Sequence, residues 1–95
     1  MKNKLLFMPH AQACVMVNQW GTTLRSCKTD VAHIDNEGWL YVNGLYSMTT
    51  RRHISAFLKE YTCGITFQTA KLLVTQKLKI NIHTGEVLDL ASQEV

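Results

Sequence analysis

Two threonines, two arginines and a histidine are consecutive in the stretch YSMTTRRHISAFLKEY, residues 46–61. On a helix, a hydroxyl three or four positions before a histidine can meet the imidazole, so Thr49 or Thr50 with His53 would begin a nucleophilic dyad. A working hydrolase also needs an orienting acid and an oxyanion hole, and the sequence has no G-x-S-x-G elbow that would supply them. We therefore expect no catalytic residue in this cluster.

Arg51 and Arg52 stand at the start of the same predicted helix, where the macrodipole favours acids by roughly 0.3–1 kcal/mol and opposes cations. Guanidinium groups beside free backbone amides can together bind an anion, such as a phosphate or an acidic protein surface. The alternative is that one arginine forms an ion pair with Asp35 or Glu37 of the preceding predicted hairpin. The sequence leaves both interpretations open.

The formal net charge of +3 is mild, but its distribution is uneven: residues 1–29 carry four cations and no acid, and residues 51–79 carry six cations and one acid. We predict that the partner- or phosphate-binding residues are Thr49, Thr50, Arg51, Arg52, His53, Lys59, Lys71, Lys77 and Lys79. Trp39, Tyr41 and Tyr46 could add a stacking platform for single-stranded nucleic acid. The alternating positions of Trp39 and Tyr41 on a predicted strand favour instead a place in the core.

Metal-ligating spacings such as H-x-x-x-H, H-E-x-x-H and C-x-x-C do not occur in the sequence. The histidines and cysteines are His10, His33, His53, His83, Cys14, Cys27 and Cys63. We expect no metal site, no cofactor and no disulfide framework, and we expect the thiols to be reduced and buried.

One amphipathic helix must position the cluster. Ile54, Phe57, Leu58 and Tyr61 recur at helical spacing and predict a helix over residues 50–62. The hydroxyl of Thr49 or Thr50 would cap its start, and the Cys-Gly pair at residues 63–64 would end it.

Alternating apolar residues predict strands before this helix and a hairpin after it. Strands are predicted at residues 13–20, 22–28, 30–35, 39–42, 78–82 and 87–90, with a turn at 36–38. For residues 66–78 a second helix is preferred, although a strand fits as well. The predicted fold class is α+β: a small antiparallel sheet with one or two helices packed on it and a C-terminal β-hairpin.

Length and composition predict a single domain, residues 1–95, with flexible ends at 1–12 and 91–95. The apolar patch at residues 5–8 is too short for a signal peptide, and no apolar run approaches the length of a membrane span. We therefore expect a cytoplasmic protein that does not associate with membranes. An uncovered sheet edge would allow a homodimer.

The segment VAHIDNEGWLYVNGLYSMTTRRHISAFL, residues 31–58, resembles a motif of small proteins from bacteriophages and mobile elements. These proteins share a VA-x-I segment, a turn, a short strand and a YS-x-TT-x-[RK]-H-I-x-x-[FW]-L helix start. The matching positions are Val31, Ala32, Ile34, Tyr46, Ser47, Thr49, Thr50, Arg52, His53, Ile54, Phe57 and Leu58. The resemblance implies a phage or prophage accessory protein, and it brings no established activity or catalytic residue.

Together these patterns predict a non-enzymatic protein that binds a macromolecule. The first hypothesis is anti-CRISPR-like inhibition of a host defence protein, such as a CRISPR effector, which requires only about 800 Å² of contact per partner. The alternative is a nucleic-acid-binding regulator whose basic helical surface places Arg51, Arg52, Lys59 and the lysines of residues 71–79 on phosphates. A small hydrolase built on Thr50 and His53 is the third hypothesis.

Overall fold

The computed structural model describes residues 2–90, which form one antiparallel sheet with two helices packed on one of its faces. The elements are β1 Lys2–Asn3, β2 Ala13–Asn18, β3 Gly21–Ser26, β4 Thr29–Asp35, β5 Trp39–Val42, α1 Met48–Tyr61, α2 Phe67–Thr75, β6 Leu78–Asn81 and β7 Val87–Asp89. The strands lie in the sheet in chain order, so every neighbour is also the next strand in sequence. The predicted α+β class with a C-terminal hairpin is confirmed.

The cross-strand register assigns the side chains of the sheet to two faces. Leu24 lies opposite Ala32, which lies opposite Val42, and in the next row Ile34 lies opposite Leu40. These side chains are buried together with residues of both helices, among them Ile54, Phe57, Ala70 and Leu73. Burying one large apolar side chain contributes about 1.5–3 kcal/mol, so this packing holds the helices on the sheet.

The turn between β4 and β5 follows the predicted turn signal. Gly38 has a φ of 92°, in the left-handed region that favours glycine. The carboxylate of Asp35 accepts hydrogen bonds from the backbone amides of Glu37 and Trp39, each at 2.9 Å. The hairpin predicted at residues 30–42 is confirmed, and the carboxylate of Asp35 is used within its turn.

A β-bulge between β3 and β4 changes the predicted alternation at Val31. Leu24 lies opposite Ala32 and Arg25 opposite Asp30, so Val31 is the extra residue of β4. Val31 is completely buried although the alternation assigned it to the same face as His33. The sequence carries no local signal for this bulge, because it depends on the pairing of two strands.

Helix α1 begins earlier than predicted. Its N-cap is Ser47, whose hydroxyl accepts a hydrogen bond from the backbone amide of Thr50 at 3.2 Å, so the predicted cap at Thr49 or Thr50 is wrong. The apolar stripe that predicted the helix is confirmed, since Ile54 and Phe57 are fully buried. Residues 66–78 are divided between α2, which ends at Thr75, and β6.

The segment after β1 lies across α1. Leu5 is fully buried, and the backbone amide of Leu6 donates a hydrogen bond to the carboxylate of Glu60 at 2.7 Å. These contacts pack the first described residues against the fold, whereas the other end predicted to be flexible, residues 91–95, lies outside the described residues. Within residues 2–90, neither helix has the length and apolar character needed to cross a membrane.

Candidate functional site

The threonine-arginine-histidine cluster is divided between the inside and the outside of α1. Thr50 and His53 are 7% and 1% exposed, whereas Thr49 and Arg52 are exposed and Arg51 is half-buried. Residues three apart share a helix face, so the two buried side chains point to the sheet and their neighbours point away from it. The predicted cluster is therefore two separate structures.

The buried structure is a small polar network between α1 and β3. Ser26 Oγ lies 2.7 Å from His53 Nδ1 and 3.2 Å from Thr50 Oγ1, and the Ser47 hydroxyl donates to Thr50 Oγ1 at 3.3 Å. Burial lowers the pKa of His53 below its ordinary value, because the imidazolium would lose its hydration. We call the three buried residues, Ser26, Thr50 and His53, the buried polar network; Ser47 is exposed and stands at its edge.

The sequence did not point to Ser26. Its hydroxyl contacts the His53 ring, where the sequence suggested the hydroxyl of Thr49 or Thr50. The signal was present, because Ser26 lies two residues after the buried Leu24 on the same strand face. Ser26 is only 2% exposed, and neither Ser26 nor His53 lines any of the three grooves described for residues 2–90. The arrangement attaches α1 to β3 and gives no described path for a substrate.

The outward-facing residues of α1 form the floor of a groove. Its first part, about 400 Å³, is lined by Met8, Met48, Arg51, Arg52, Ser55 and Phe67. Its second part, about 350 Å³, is lined by Ser55, Lys59, Gly64, Ile65, Thr66 and Phe67. The two parts are adjacent, because Ser55 and Phe67 line both, and we call them together the α1 groove. It runs between the N-terminal segment and the start of α2.

The α1 groove is cationic and partly apolar. The first turn of α1 contains no acid, and Glu60 is engaged with the backbone amide of Leu6. Arg51 Nε is buried and has no hydrogen-bond partner among the described residues. Lys59 Nζ lies 4.5 Å from the centre of the Phe7 ring, so a cation–π contact holds it beside the N-terminal segment.

Among residues 2–90, no ion pair joins an arginine of α1 to Asp35 or Glu37, so this alternative, which the sequence left open, is wrong. In the part of the chain that the structure describes, the ion pair is formed by Arg25 and Asp30, with Nε and Oδ1 2.8 Å apart. Asp35 caps the turn before β5 instead. The guanidinium groups of Arg51 and Arg52 therefore remain available in the groove.

The remaining predicted lysines do not join this surface. Lys71 on α2 and Lys77 before β6 are exposed outside the groove. Lys79 is 5% exposed and belongs to the opposite face of the sheet, where it contacts Trp39 and Tyr41. The sequence placed these lysines in one cluster because they are close along the chain, but the turn after α2 separates them.

Trp39 and Tyr41 lie on the face of the sheet that neither helix covers, so the prediction that they are core residues is wrong. Leu40 and Val42, at the alternate positions of β5, occupy the core instead. Alternation correctly predicted two faces of β5 but did not show which face the helices cover. Tyr46 is 59% exposed and stands in the loop before α1.

The cysteines do not gather into a metal centre. Cys14 is half-buried and Cys27 and Cys63 are exposed, so the predicted burial of the thiols is wrong. Residues 2–90 contain no group of three or more metal-ligating side chains. Cys14 and Cys27 line an open groove of about 590 Å³ at the end of β2 and β3.

Comparison with known proteins places the chain in a family without assigning it an activity. Searches of curated proteins and of solved structures gave no match. A family model does match residues 3–72, which include the buried polar network and every lining residue of the α1 groove and end before β6. The chain therefore belongs to the family described as a family of unknown function, DUF8033.

Proposed function

We propose that this protein is a non-enzymatic binding protein whose α1 groove binds an acidic segment of a partner protein. The observation that carries the proposal is the combination of an apolar floor with two guanidinium groups, one of which has a buried Nε atom and no acceptor among the described residues. A buried donor without an acceptor costs about 1–3 kcal/mol. A carboxylate of a partner in the groove would supply an acceptor to the guanidinium groups of Arg51 and Arg52, which line it.

The apolar part of the groove favours a protein partner over a nucleic acid backbone. Met48 is 65% exposed, and Met8 and Phe67 line the same groove. Exposed apolar surface beside charged residues is typical of protein-binding sites, and methionine adapts to apolar side chains of different shapes. The partner segment therefore carries apolar side chains as well as carboxylates.

The dimensions of the groove define the size of that segment. Met48 and Lys59 stand at its two ends, and the helix between them is roughly 16 Å long. An extended chain rises about 3.3 Å per residue, so about five residues of the partner fit along α1. Arginine and lysine at opposite ends favour a segment with a carboxylate near each end.

We further propose that binding inhibits a host defence protein, such as a CRISPR effector. The resemblance of residues 31–58 to small phage proteins supports this proposal, as does a site that needs no chemistry of its own. Covering an acidic functional surface of the partner is sufficient for inhibition. The alternative, a basic helical surface for nucleic acid, receives less support because Lys71, Lys77 and Lys79 lie outside the groove.

The test uses a panel of purified CRISPR effectors and other defence nucleases. We expect one of them to form an equimolar complex and to lose activity in it. Arg52→Glu should weaken that complex at least tenfold, because it places a carboxylate against the acidic segment. The matched control is Lys71→Glu, an equal charge change at an exposed position outside the groove.

Two results would overturn the proposal. The first is that no member of the panel binds, while peptides with alternating glutamate and leucine also fail to shift the NMR signals of α1. The second is a complex that Arg52→Glu and Lys71→Glu weaken equally. Equal weakening would indicate a general effect of net charge.

A further inference from the structure

We propose that the face of the sheet opposite the helices binds single-stranded nucleic acid, with bases stacked on Trp39 and Tyr41. This inference goes beyond the protein-binding role of the α1 groove, because it concerns other residues on another surface. It revises the nucleic-acid hypothesis as well, which relied on a basic helical surface. We call this surface the open face.

The open face contains a row of side chains that crosses the whole sheet. Cross-strand pairs and one hydrogen bond connect the members of this row, which are, from β1 to β7, Lys2, Met16, Thr23, His33, Tyr41, Lys79 and Leu88. Neighbouring strands are about 4.8 Å apart, so Lys2 and Lys79 are separated by roughly 24 Å. The row has cations near both ends and aromatic rings close to one of them.

Lys79 holds two large rings of the open face in place: that of Tyr41 in this row and that of Trp39 in the next row. Its Nζ lies 4.4 Å from the centre of the Trp39 ring and 5.4 Å from that of Tyr41, and it donates a hydrogen bond to the Tyr41 hydroxyl at 3.2 Å. Both rings are half-buried, so part of each ring is open to solvent. Rings fixed before binding lose little conformational entropy when a base stacks on them.

His33 extends the aromatic surface onto the next strand. Its ring centre lies 6.4 Å from that of Tyr41, and its Nδ1 is 2.7 Å from the Thr23 hydroxyl. Aromatic side chains on an exposed sheet face are a common platform for single-stranded nucleic acid, because every base has a π-face that can stack. A duplex presents no free base to such a platform.

The charges of the open face favour a polyanion. The carboxylate of Asp30 is paired with Arg25, and that of Asp35 accepts two backbone amides of its turn. In the described part of the chain, Lys2 and Lys79 form no ion pair. A second copy of the chain on the same face would bring like charges together, which is unfavourable.

The first test is a titration with a fluorescein-labelled oligo(dT) of about twelve nucleotides, at 50 mM salt, on the Trp20→Phe protein. Trp20 is exposed in the β2–β3 turn, so its replacement leaves Trp39 as the fluorescent reporter. We expect binding with quenching of Trp39, and at least tenfold weaker binding of the corresponding duplex. Lys79 is 5% exposed, so Lys2 is the lysine of the row that meets a phosphate, and log K should fall against log salt with a slope of about −0.7.

The second test separates stacking from general apolar contact. Tyr41→Leu should lower the affinity for oligo(dT) about tenfold, whereas Tyr41→Phe, which keeps the ring, should retain it. Lys2→Glu changes an exposed residue at the sheet edge, so this variant tests the proposal even where Tyr41→Leu does not fold. Lys2→Glu should weaken oligonucleotide binding severalfold. Arg52→Glu, in the α1 groove, should have no effect on oligonucleotide binding.

Several results would overturn this proposal. The first is that the protein does not bind oligo(dT) at 50 mM salt. The second is that it binds single strand and duplex with equal affinity. The third is that folded Tyr41→Leu protein binds oligo(dT) as tightly as the wild-type protein. Loss of oligonucleotide binding in Arg52→Glu would move the site to the α1 groove. A dimer in sedimentation that Tyr41→Leu dissociates, without oligonucleotide binding, would show that the open face is an interface between two copies.

Discussion

Two hydroxyl–imidazole pairs lie on opposite faces of strand β3. On the helix side, Ser26 Oγ is 2.7 Å from His53 Nδ1, and on the open face Thr23 Oγ1 is 2.7 Å from His33 Nδ1. The chemical groups and the distances are the same. The surroundings differ, since His53 is 1% exposed and His33 is half-buried at the surface of the sheet.

This difference in burial gives the two pairs different roles. A buried polar group that loses its partner cannot be compensated by water and costs about 1–3 kcal/mol. A surface group that loses its partner bonds to water instead, and the net change is small. We therefore infer that the buried pair stabilises the attachment of α1 to β3, whereas the surface pair orients His33 on the open face.

His53→Ala should give the largest effect, because it removes a buried ring and leaves the hydroxyl of Ser26 without its imidazole partner. We expect a loss of about 3 kcal/mol in the free energy of unfolding, measured by urea denaturation at neutral pH. The matched variant is His33→Ala, for which we expect a loss below about 1 kcal/mol. Equal losses in the two variants would contradict the distinction drawn from burial.

Ser26→Ala should have the next largest effect. It leaves His53 Nδ1 buried without the 2.7 Å partner and should lower the free energy of unfolding by about 1–3 kcal/mol. Thr23→Ala removes the corresponding hydroxyl from the surface pair, and we expect a change within about 0.5 kcal/mol. Urea denaturation of both variants compares the two pairs directly. A larger loss in the free energy of unfolding for Thr23→Ala than for Ser26→Ala would contradict the roles assigned to the two pairs.

Acidification should destabilise the protein through His53. Burial lowers the pKa of this imidazole in the folded state, so the unfolded chain binds the proton more readily. The stabilisation is fully present above the unfolded pKa of about 6.5 and is lost as the pH falls below it. One proton limits the slope to about 1.4 kcal/mol per pH unit. Urea midpoints between pH 8 and pH 5 measure this trend.

His53→Gln is the control for the acidification experiment, since the amide does not titrate. The variant should lose the part of the pH dependence that arises below about pH 6.5. His33→Gln should keep that dependence if the buried imidazole is its source. A wild-type protein whose stability is constant across this range, or rises as the pH falls, would contradict the role of burial.

Ser47→Ala should give the smallest effect, because Ser47 stands at the edge of the buried polar network. Loss of its N-cap hydrogen bond to the backbone amide of Thr50 should cost about 1 kcal/mol. The neighbouring Thr49→Ala is the control, since Thr49 is exposed and caps no helix, and its effect should be below about 0.5 kcal/mol. A larger loss of stability for Thr49→Ala than for Ser47→Ala would indicate that a threonine caps the helix, as the sequence suggested.

Sequence patterns predicted most of the fold and little of the sites. Ile54, Phe57 and Leu58 predicted α1 because helical spacing is a local property, and the turn ending at Gly38 predicted the β4–β5 hairpin for the same reason. The α1 groove could not be predicted, because Met8, Arg52 and Phe67 come from three segments that meet only in the folded chain. The partner of His53 was missed because Ser26 is distant in sequence.

The sequence by itself determined the order of the elements from β2 onwards, the amphipathic face of α1 and the two alternating faces of β5. Each of these follows from side-chain spacing along a single segment. Only the tertiary structure decided which face of the sheet the helices cover. That choice buried His53, left Arg51 and Arg52 in a groove and placed Trp39 and Tyr41 on the open face. Burial depends on what packs across an element, which local spacing does not specify.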